Sequence, residues 1–93
     1  MINITEKAIS EIKLIIQNKN VPEGYGLRLL VEGGGGCGGA RFRLGFDKKK
    51  DDDESFFVSE IPVFYQKKTL LFLIGITLDY EERTTEKGFV FRK

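Results

Sequence analysis

Cys37 is the residue with the clearest chemical potential in this sequence. It is the only cysteine in the 93-residue chain, and the other six residues between Gly33 and Gly39 are all glycine. Because glycine carries no side chain, a thiol in such a segment is open to a metal ion, an oxidant or a partner protein. We therefore expect the function to involve this glycine segment, Gly33 to Gly39.

The residues around Cys37 bear on whether its thiol is buried and on how reactive it is. A free cysteine is often a small buried hydrophobic residue. The glycines argue against this, because glycine weakens a packed strand or helix by roughly 0.5 to 1 kcal/mol relative to alanine. If Arg41 and Arg43 point toward the glycine segment, their positive charge would favour the reactive thiolate.

The glycine segment also suggests phosphate binding, because consecutive backbone amides can surround an anion. A Walker loop requires Gly-Lys-Ser/Thr at the start of a helix, and a dinucleotide fingerprint also leads into a helix. The residues that follow here, Ala40 to Leu44, have the alternation of a strand. Both phosphate motifs are therefore disfavoured.

Histidine is absent from the sequence. This excludes a Cys-His catalytic pair, a His-ligated metal and an imidazole base within one chain. A closed zinc site needs about four ligands, usually Cys or His, and a single cysteine does not supply them. Any metal held by the Cys37 thiolate must take further ligands from elsewhere.

Length and composition indicate a small globular protein, and we predict a single domain over residues 1–93. No apolar run approaches the roughly 20 residues that cross a bilayer. The first residues lack the features of a secretory signal, and one cysteine cannot form an intrachain disulfide, so we expect a cytoplasmic location. The net charge of +1 provides no footprint for nucleic acid, and we expect neither nucleic acid nor membrane as a partner.

The N-terminal residues predict a helix from about Thr5 to Asn18. Thr5 is a suitable N-cap, and Pro22 disfavours helix at the residue before it. A stripe with the 3.6-residue period predicts a face that packs on a sheet. This stripe consists of Ala8, Ile9, Ile12, Ile15 and Ile16.

The rest of the chain reads mainly as strands. Alternation over Tyr25 to Glu32 and over Arg41 to Asp47 predicts two strands joined by the glycine segment. Lys48 to Glu54, three lysines followed by four acids, reads as the solvated turn of a hairpin. Lys67 to Ile74 is expected to be buried, as either helix or strand.

Four further short strands complete the pattern. The first two, Ser55 to Glu60 and Val63 to Gln66, should lie near an edge because Pro62 lacks an amide donor. The last two are centred on Leu78 and on Val90. We therefore predict a mainly β fold of the α+β class, mostly antiparallel, with the helix packed against it.

Two ordered blocks of the sequence resemble the HesB/IscA-like family, the A-type iron-sulfur carriers. The first block is Leu27-Arg28-Leu29, Gly36-Cys37-Gly38-Gly39, Leu44 and Phe46. The second is Leu73-x-Gly75-x-x-Leu78-Asp79-Tyr80 followed by Gly88-Phe89-Val90-Phe91. The resemblance implies a HesB-like domain, in which an N-terminal helix packs on a compact β sandwich or distorted barrel.

The resemblance implies a role in iron-sulfur cluster assembly or iron handling, with Cys37 as the ligand and no enzymatic activity. In the family, a Cys-Gly-Cys pair follows the last block, whereas this sequence ends at Phe91-Arg92-Lys93. Clusters are usually held by four thiolates, so further ligands would come from a second subunit, a partner or a small thiol. The implied partners are assembly or client proteins, and a homodimer or higher oligomer is compatible with this ligand count.

Other interpretations remain open at the level of sequence. The chain would be a family member without metal that acts as an interaction or regulatory module, or a redox sensor that forms an intermolecular disulfide through Cys37. Asp79 is a candidate ligand or acid, but its outward phase on a strand favours a solvated or hydrogen-bonded carboxylate. Tyr80 is expected to be a core residue.

Overall fold

The computed structural model of the chain describes residues 2–33, 40–83, 85 and 87–93. It divides into two compact units, which we call the terminal unit (Met1–Val21 and Ile74–Lys93) and the central unit (Pro22–Leu73). The single domain predicted over residues 1–93 stays a prediction.

The terminal unit contains one helix and three strands. These are β1 (Asn3–Ile4), α1 (Glu6–Asn18), β6 (Thr77–Glu82) and β7 (Lys87–Arg92). The strand order is β1-β6-β7, in which β1 runs parallel to β6 and β7 runs antiparallel to it. Helix α1 packs against β6 and buries Ala8 and Ile12, as the apolar stripe predicts.

Helix α1 begins and ends at the predicted residues for identifiable local reasons. The Thr5 hydroxyl accepts a hydrogen bond from the Ala8 amide at 3.2 Å, which satisfies one of the free amides of the first turn. At the other end, Asn20 adopts a left-handed φ of 52°. This turn lets the Val21 amide donate to the Ile16 carbonyl at 3.2 Å, which closes the helix.

The central unit contains a four-stranded sheet. Its strands are β2 (Tyr25–Gly33), β3 (Ala40–Lys48), β4 (Asp53–Val58) and β5 (Ile61–Gln66), in the order β3-β2-β5-β4. Pairing is antiparallel between β2 and β3 and between β4 and β5, and parallel between β2 and β5. The mainly β, mostly antiparallel class is confirmed. Across the described residues, neither sheet closes on itself.

The prediction of a hairpin turn over Lys48 to Glu54 is wrong. Strand β3 lies at one edge of the central sheet and β4 at the other. The link between them therefore crosses the end of the sheet instead of reversing the chain. The alternation within each strand does not reveal strand order, because the partner of a strand is set by contacts elsewhere in the chain.

The position near an edge that Pro62 predicts is confirmed: β4 is the edge strand, and β5 lies next to it, between β2 and β4. The proline is tolerated there because the ladder between β2 and β5 begins one residue later, with Leu27 opposite Val63. Pro62 is paired only with Phe57 of β4. Its missing amide therefore costs no hydrogen bond to β2.

The apolar cluster after β5 forms a 3-10 turn (Lys67–Thr69) and a short helix α2 (Leu70–Leu73). Leu73 is fully buried, but Leu71 is 83% exposed. The expected burial of the whole cluster is therefore wrong for Leu71, Phe72 and Ile74, which are all exposed, because a single helical turn can direct only part of its circumference inward. Among the helices of the described residues, none combines the length and apolar character needed to cross a membrane.

Candidate functional site

The glycine segment joins two strands that are paired up to its ends. The β2–β3 ladder runs from Tyr25 opposite Lys48 to Gly33 opposite Ala40. Gly33 adopts a left-handed φ of 73°, which a residue with a side chain rarely takes. The predicted strand on each side is confirmed, whereas Cys37 itself lies outside the described residues.

The ends of β2 and β3 extend beyond the rest of the central sheet. Strand β5 pairs with β2 only from Leu27 to Leu29, but β3 continues to pair with β2 as far as Gly33. Residues 30–33 and 40–43 therefore form a two-stranded ribbon, which we call the hairpin arm. The glycine segment is attached to its outer end.

One face of the hairpin arm carries charged side chains. Arg43 Nη1 and Glu32 Oε1 form an ion pair at 3.0 Å, and both side chains are more than half exposed. Arg41 is exposed and lies directly opposite Glu32 in the ladder. The charge of Arg43 is thus partly compensated. The suggested action of Arg41 and Arg43 on the thiol stays a prediction.

At the opposite end of the hairpin, β2 holds a buried arginine. The Arg28 guanidinium donates to both carboxylate oxygens of Asp53, from Nη1 at 2.8 Å and from Nη2 at 2.5 Å. Nη2 also donates to the Lys48 carbonyl at 2.9 Å, and Nε donates to Asp47 at 3.3 Å. This Arg28 cluster (Arg28, Asp47, Lys48 and Asp53) ties together β2, β3 and the start of β4.

The electrostatics of the cluster follow from this geometry. The hydrogen bond from Arg28, opposed by burial and assisted by the Lys50 amide, lowers the pKa of Asp53 to about 2. The same hydrogen bond raises the pKa of Arg28 above its ordinary value, against the opposing effect of burial. Both groups are therefore ionised across the range in which the protein would function.

Sequence reasoning missed this cluster. It treated the acidic run that contains Asp53 as a solvated turn, which is wrong for Asp53 because its side chain is completely buried. Because an acidic run is usually solvated, the composition of this segment does not predict that Asp53 is buried. The available signal was Arg28 itself, a charged residue within the run Gly26-Leu-Arg-Leu-Leu-Val31, since a buried arginine requires a carboxylate partner.

Asp79 in the terminal unit is engaged in a structural network. Its Oδ1 accepts hydrogen bonds from the Thr5 hydroxyl at 2.6 Å and from the Tyr80 amide at 2.8 Å, and its Oδ2 is paired with Arg92. The hydrogen bond from Thr5 is the largest cause that lowers the pKa of Asp79. The hydrogen-bonded interpretation is confirmed: Asp79 connects the cap of α1 to β6.

The described residues contain no group of three Cys, Asp or Glu side chains positioned to hold a metal ion. Asp47 and Asp53 point at Arg28, and Asp79 is bound to Thr5 and Arg92. Tyr80 packs edge to face on Phe89, with ring centroids 5.0 Å apart. In the part of the chain that the structure describes, Asp47, Asp53 and Asp79 therefore stabilise the fold.

Sequence comparison relates the chain to proteins of known role. The family described as iron-sulphur cluster biosynthesis matches residues 1–93. The chain is 34% identical over 92 residues to the iron-sulfur cluster insertion protein ErpA of Stenotrophomonas maltophilia, and the match covers 98% of this chain and 69% of that protein. It is 34% identical over 91 residues to the mitochondrial iron-sulfur cluster assembly 1 homolog of Homo sapiens, which covers 97% and 68%.

Structural comparison gives the same grouping. IscA crystallised with a 2Fe-2S cluster has a TM-score of 0.73 at 22% identity, over 99% of this chain and 81% of that one. SufA of Escherichia coli has a TM-score of 0.75 at 20% identity, over 98% and 83%. A protein from Aquifex aeolicus solved by NMR has a TM-score of 0.73 at 31% identity, over 99% and 90%. The two lower identities establish the fold alone, and with the family match they confirm the resemblance: the chain belongs to the iron-sulphur cluster biosynthesis family.

Proposed function

We propose that this protein carries iron or an iron-sulfur cluster during cluster assembly, with Cys37 as its thiolate ligand. The observation that supports this most directly is the position of the only thiol, in a segment whose two ends, Gly33 and Ala40, are paired at the end of a hairpin. In this proposal, a donor or acceptor protein exchanges the cargo at this thiol. The family membership provides the chemical context.

The number of ligands makes this a shared site. The sequence contains one cysteine, and iron-sulfur clusters usually take four thiolates. A second subunit would supply one more, and a partner protein or a small thiol would supply the rest. A site completed by other molecules suits a carrier, because replacing those ligands releases the cargo. The partners are therefore assembly or client proteins, and the protein has no catalytic role of its own.

Cellular location is part of the same proposal. The similar proteins include one from a bacterium and one described as mitochondrial. We propose a cytoplasmic location, because a single unpaired cysteine suits a reducing compartment. Cell fractionation with an antibody against the protein tests this, and recovery in an organelle fraction would contradict it.

Anaerobic reconstitution with ferrous iron and sulfide tests the ligand assignment. The wild-type protein should develop thiolate-to-iron charge-transfer absorption, and Cys37→Ala should not. Lys49→Ala is a matched control, because it changes an exposed residue and leaves Cys37 in place. Size-exclusion chromatography of the reconstituted protein should show a cluster-bound species larger than the monomer.

The alternative function is an interaction or regulatory module without metal. It requires the fold of the family and no metal ligand. If wild type and Cys37→Ala give the same spectrum and the same iron content, the carrier proposal fails and this alternative is supported. A Cys37-dependent disulfide dimer formed under mild oxidant, without any bound iron, would instead support the redox-sensing function.

A further inference from the structure

We propose that the outer edge of β4 pairs with β4 of a second copy of this chain, antiparallel and about a twofold axis. The two central sheets then join into one continuous sheet. The inference goes beyond the proposed function and does not rest on it. Strand β3, whose hairpin with β2 carries the glycine segment, lies at the opposite edge of the central sheet and takes no part in this contact.

The first supporting observation is the direction of the backbone groups of β4. Val58 and Ile61 are paired across the two-residue turn that joins β4 to β5. Residues in that position exchange both of their backbone hydrogen bonds, and bonded and non-bonded pairs then alternate along an antiparallel ladder. Ser55 and Phe57 belong to the non-bonded pairs, so their N–H and C=O groups point away from β5.

These outward groups form an open edge. Strand β4 is the edge strand of the central sheet. Among the described residues, the one backbone hydrogen bond that β4 makes outside its ladder joins the Asp53 amide to the Lys50 carbonyl at 3.0 Å. This bond agrees with the alternation, because Asp53 is also in a non-bonded position. Ser55 and Phe57 therefore present two donors and two acceptors to another strand.

The second observation is that β4 lacks the features that usually prevent an edge strand from pairing, which include lysine, proline and bulges. It contains neither Lys nor Pro, and its ladder with β5 is unbroken from Asp53 to Val58. Glu54 is exposed but is paired with Lys67 at 3.9 Å. The other edge strand, β3, carries three basic residues, Arg41, Arg43 and Lys48. Of the two edges, β4 is the one suited to a partner strand.

The third observation is an exposed aromatic side chain on the same strand. Phe57 is 71% exposed. A single exposed apolar residue is ordinary on a protein surface, but here it lies between open backbone groups. Phe56, on the opposite face of the strand, is half-buried, and its ring centroid is 6.2 Å from that of Tyr65. A second β4 would cover the exposed ring and extend the partly buried aromatic pair.

The open backbone groups determine the register of the pairing. With the axis between the two copies of Phe56, Ser55 of each copy faces Phe57 of the other. Every outward N–H and C=O group of Ser55 and Phe57 is then bonded. The two Phe56 residues form a non-bonded pair, with Cα atoms about 4.5 Å apart. The two Phe57 side chains are diagonal neighbours, within reach of one another.

Charge favours the same register. With the axis at Phe56, Glu54 faces Val58 of the second copy. Moving the axis by one residue, to Phe57, would place Glu54 opposite Glu60. Like charges directly opposite each other destabilise a strand pair. A second copy of this chain is therefore complementary to the edge in hydrogen bonding, in apolar contact and in charge.

Sedimentation equilibrium of the metal-free, full-length protein under reducing conditions tests the pairing. The protein should form a dimer whose fraction rises with concentration. Phe57→Lys should raise the dissociation constant about tenfold or more, because it removes an aromatic contact and adds two like charges across the axis. Leu71→Lys is the matched control, because it places the same charge on an 83% exposed leucine outside β4. A monomer at every concentration, or equal effects of the two substitutions, would overturn the inference.

Ser55→Pro tests whether backbone groups make the contact. Proline at this position removes the outward N–H and no bond of the ladder with β5. Ser55→Pro should therefore be monomeric with an unchanged circular dichroism spectrum, whereas Ser55→Ala, which keeps the N–H, should remain dimeric. A dimeric Ser55→Pro protein would refute strand pairing. If Ser55→Pro does not fold, the comparison of Phe57→Lys with Leu71→Lys still decides.

Disulfide cross-linking in a Cys37→Ala background tests the register. Phe56→Cys should form a disulfide dimer under mild oxidant, because the two copies of residue 56 face each other at a Cα separation that a disulfide spans. Glu54→Cys should not, because residue 54 faces Val58 of the second copy. Equal cross-linking of the two variants would contradict the pairing about Phe56.

These experiments contain no iron, so their outcome is independent of the carrier proposal. The dimer can be established even if Cys37 binds nothing. Conversely, Cys37-dependent iron absorption in a protein that is monomeric without iron would support the carrier and refute the pairing of β4.

Discussion

Arg28 and Asp53 form a two-point ion pair in which Nη1 meets Oδ1 at 2.8 Å and Nη2 meets Oδ2 at 2.5 Å. The Asp53 side chain is completely shielded from solvent. The two residues are 25 positions apart in sequence and lie on strands that are not neighbours in the sheet. Their contact therefore fixes the path of the chain from β3, at one edge, to β4 at the other.

Removing the carboxylate charge should destabilise the protein strongly. Asp53→Asn leaves the buried Arg28 guanidinium with the Lys48 carbonyl at 2.9 Å and, as its remaining carboxylate partner, Asp47 at 3.3 Å. The expected loss in the free energy of unfolding is about 3 kcal/mol, the usual cost of breaking a buried pair. Urea denaturation followed by circular dichroism measures it.

The exposed pair provides the control for this measurement. Glu32→Gln breaks the ion pair between Glu32 and Arg43, both of which face solvent. The expected change is below about 1 kcal/mol. Equal losses in Asp53→Asn and Glu32→Gln would contradict the assignment of a special role to the buried pair.

The same ion pair should make stability depend on pH in the acid range. The pKa of Asp53 is about 2 in the folded protein, below its ordinary 3.8. The unfolded state therefore takes up the proton first as pH falls. The stabilisation, about 2 kcal/mol from this difference in pKa, is fully present above pH 4 and is lost as pH falls toward 2.

Comparison of wild type with Asp53→Asn isolates this dependence. Asp47 and Asp79 also have lowered pKa values, so the wild-type curve alone combines several groups. The difference between the two free energies of unfolding should be constant from pH 7 to pH 5 and should shrink below pH 4. A difference that stays constant down to pH 2 would refute the assignment.

The sequence predicted those elements whose cause is local. Helix α1 follows from the Thr5 cap and a regular apolar stripe, and the β2–β3 pair follows from alternation on both sides of the glycine segment. The position of Cys37 within that connection was also accessible from sequence. Each of these depends on residues within one continuous stretch of the sequence.

The features that sequence missed depend on distant contacts. The burial of Asp53 depends on its contact with Arg28. Strand β5 can lie inside the sheet because its ladder with β2 begins at Val63, one residue after Pro62. The exposure of Leu71 depends on which side of a single helical turn meets the sheet. None of these is encoded by the period of the segment itself, so periodicity alone could not supply them.

Gly26 should be intolerant of any side chain. A Cβ atom at this position would lie 2.6 Å from Phe64 Cε2 and 2.6 Å from the Pro62 carbonyl oxygen. The carbonyl belongs to the backbone of β5 and cannot move aside without disturbing the ladder. Gly26→Ala should therefore lower the free energy of unfolding by about 1 to 3 kcal/mol. Thermal denaturation measures the loss. Gly88→Ala is the control, because a Cβ atom added at Gly88 would meet no other atom within 4 Å. A Gly26→Ala protein as stable as the Gly88→Ala protein would contradict the close packing at Gly26.

The turn between β4 and β5 should be improved by glycine. Ser59 and Glu60 have φ values of 49° and 71°, so two residues with side chains occupy the left-handed region that two-residue hairpins prefer to fill with Asn-Gly. Glu60→Gly relieves one of these positions and should stabilise the protein by about 1 kcal/mol. Glu60→Ala removes the same charge without relieving the backbone, so it should give no such gain. If both variants shift the urea midpoint equally, the effect comes from charge and the account of backbone strain at Glu60 is wrong.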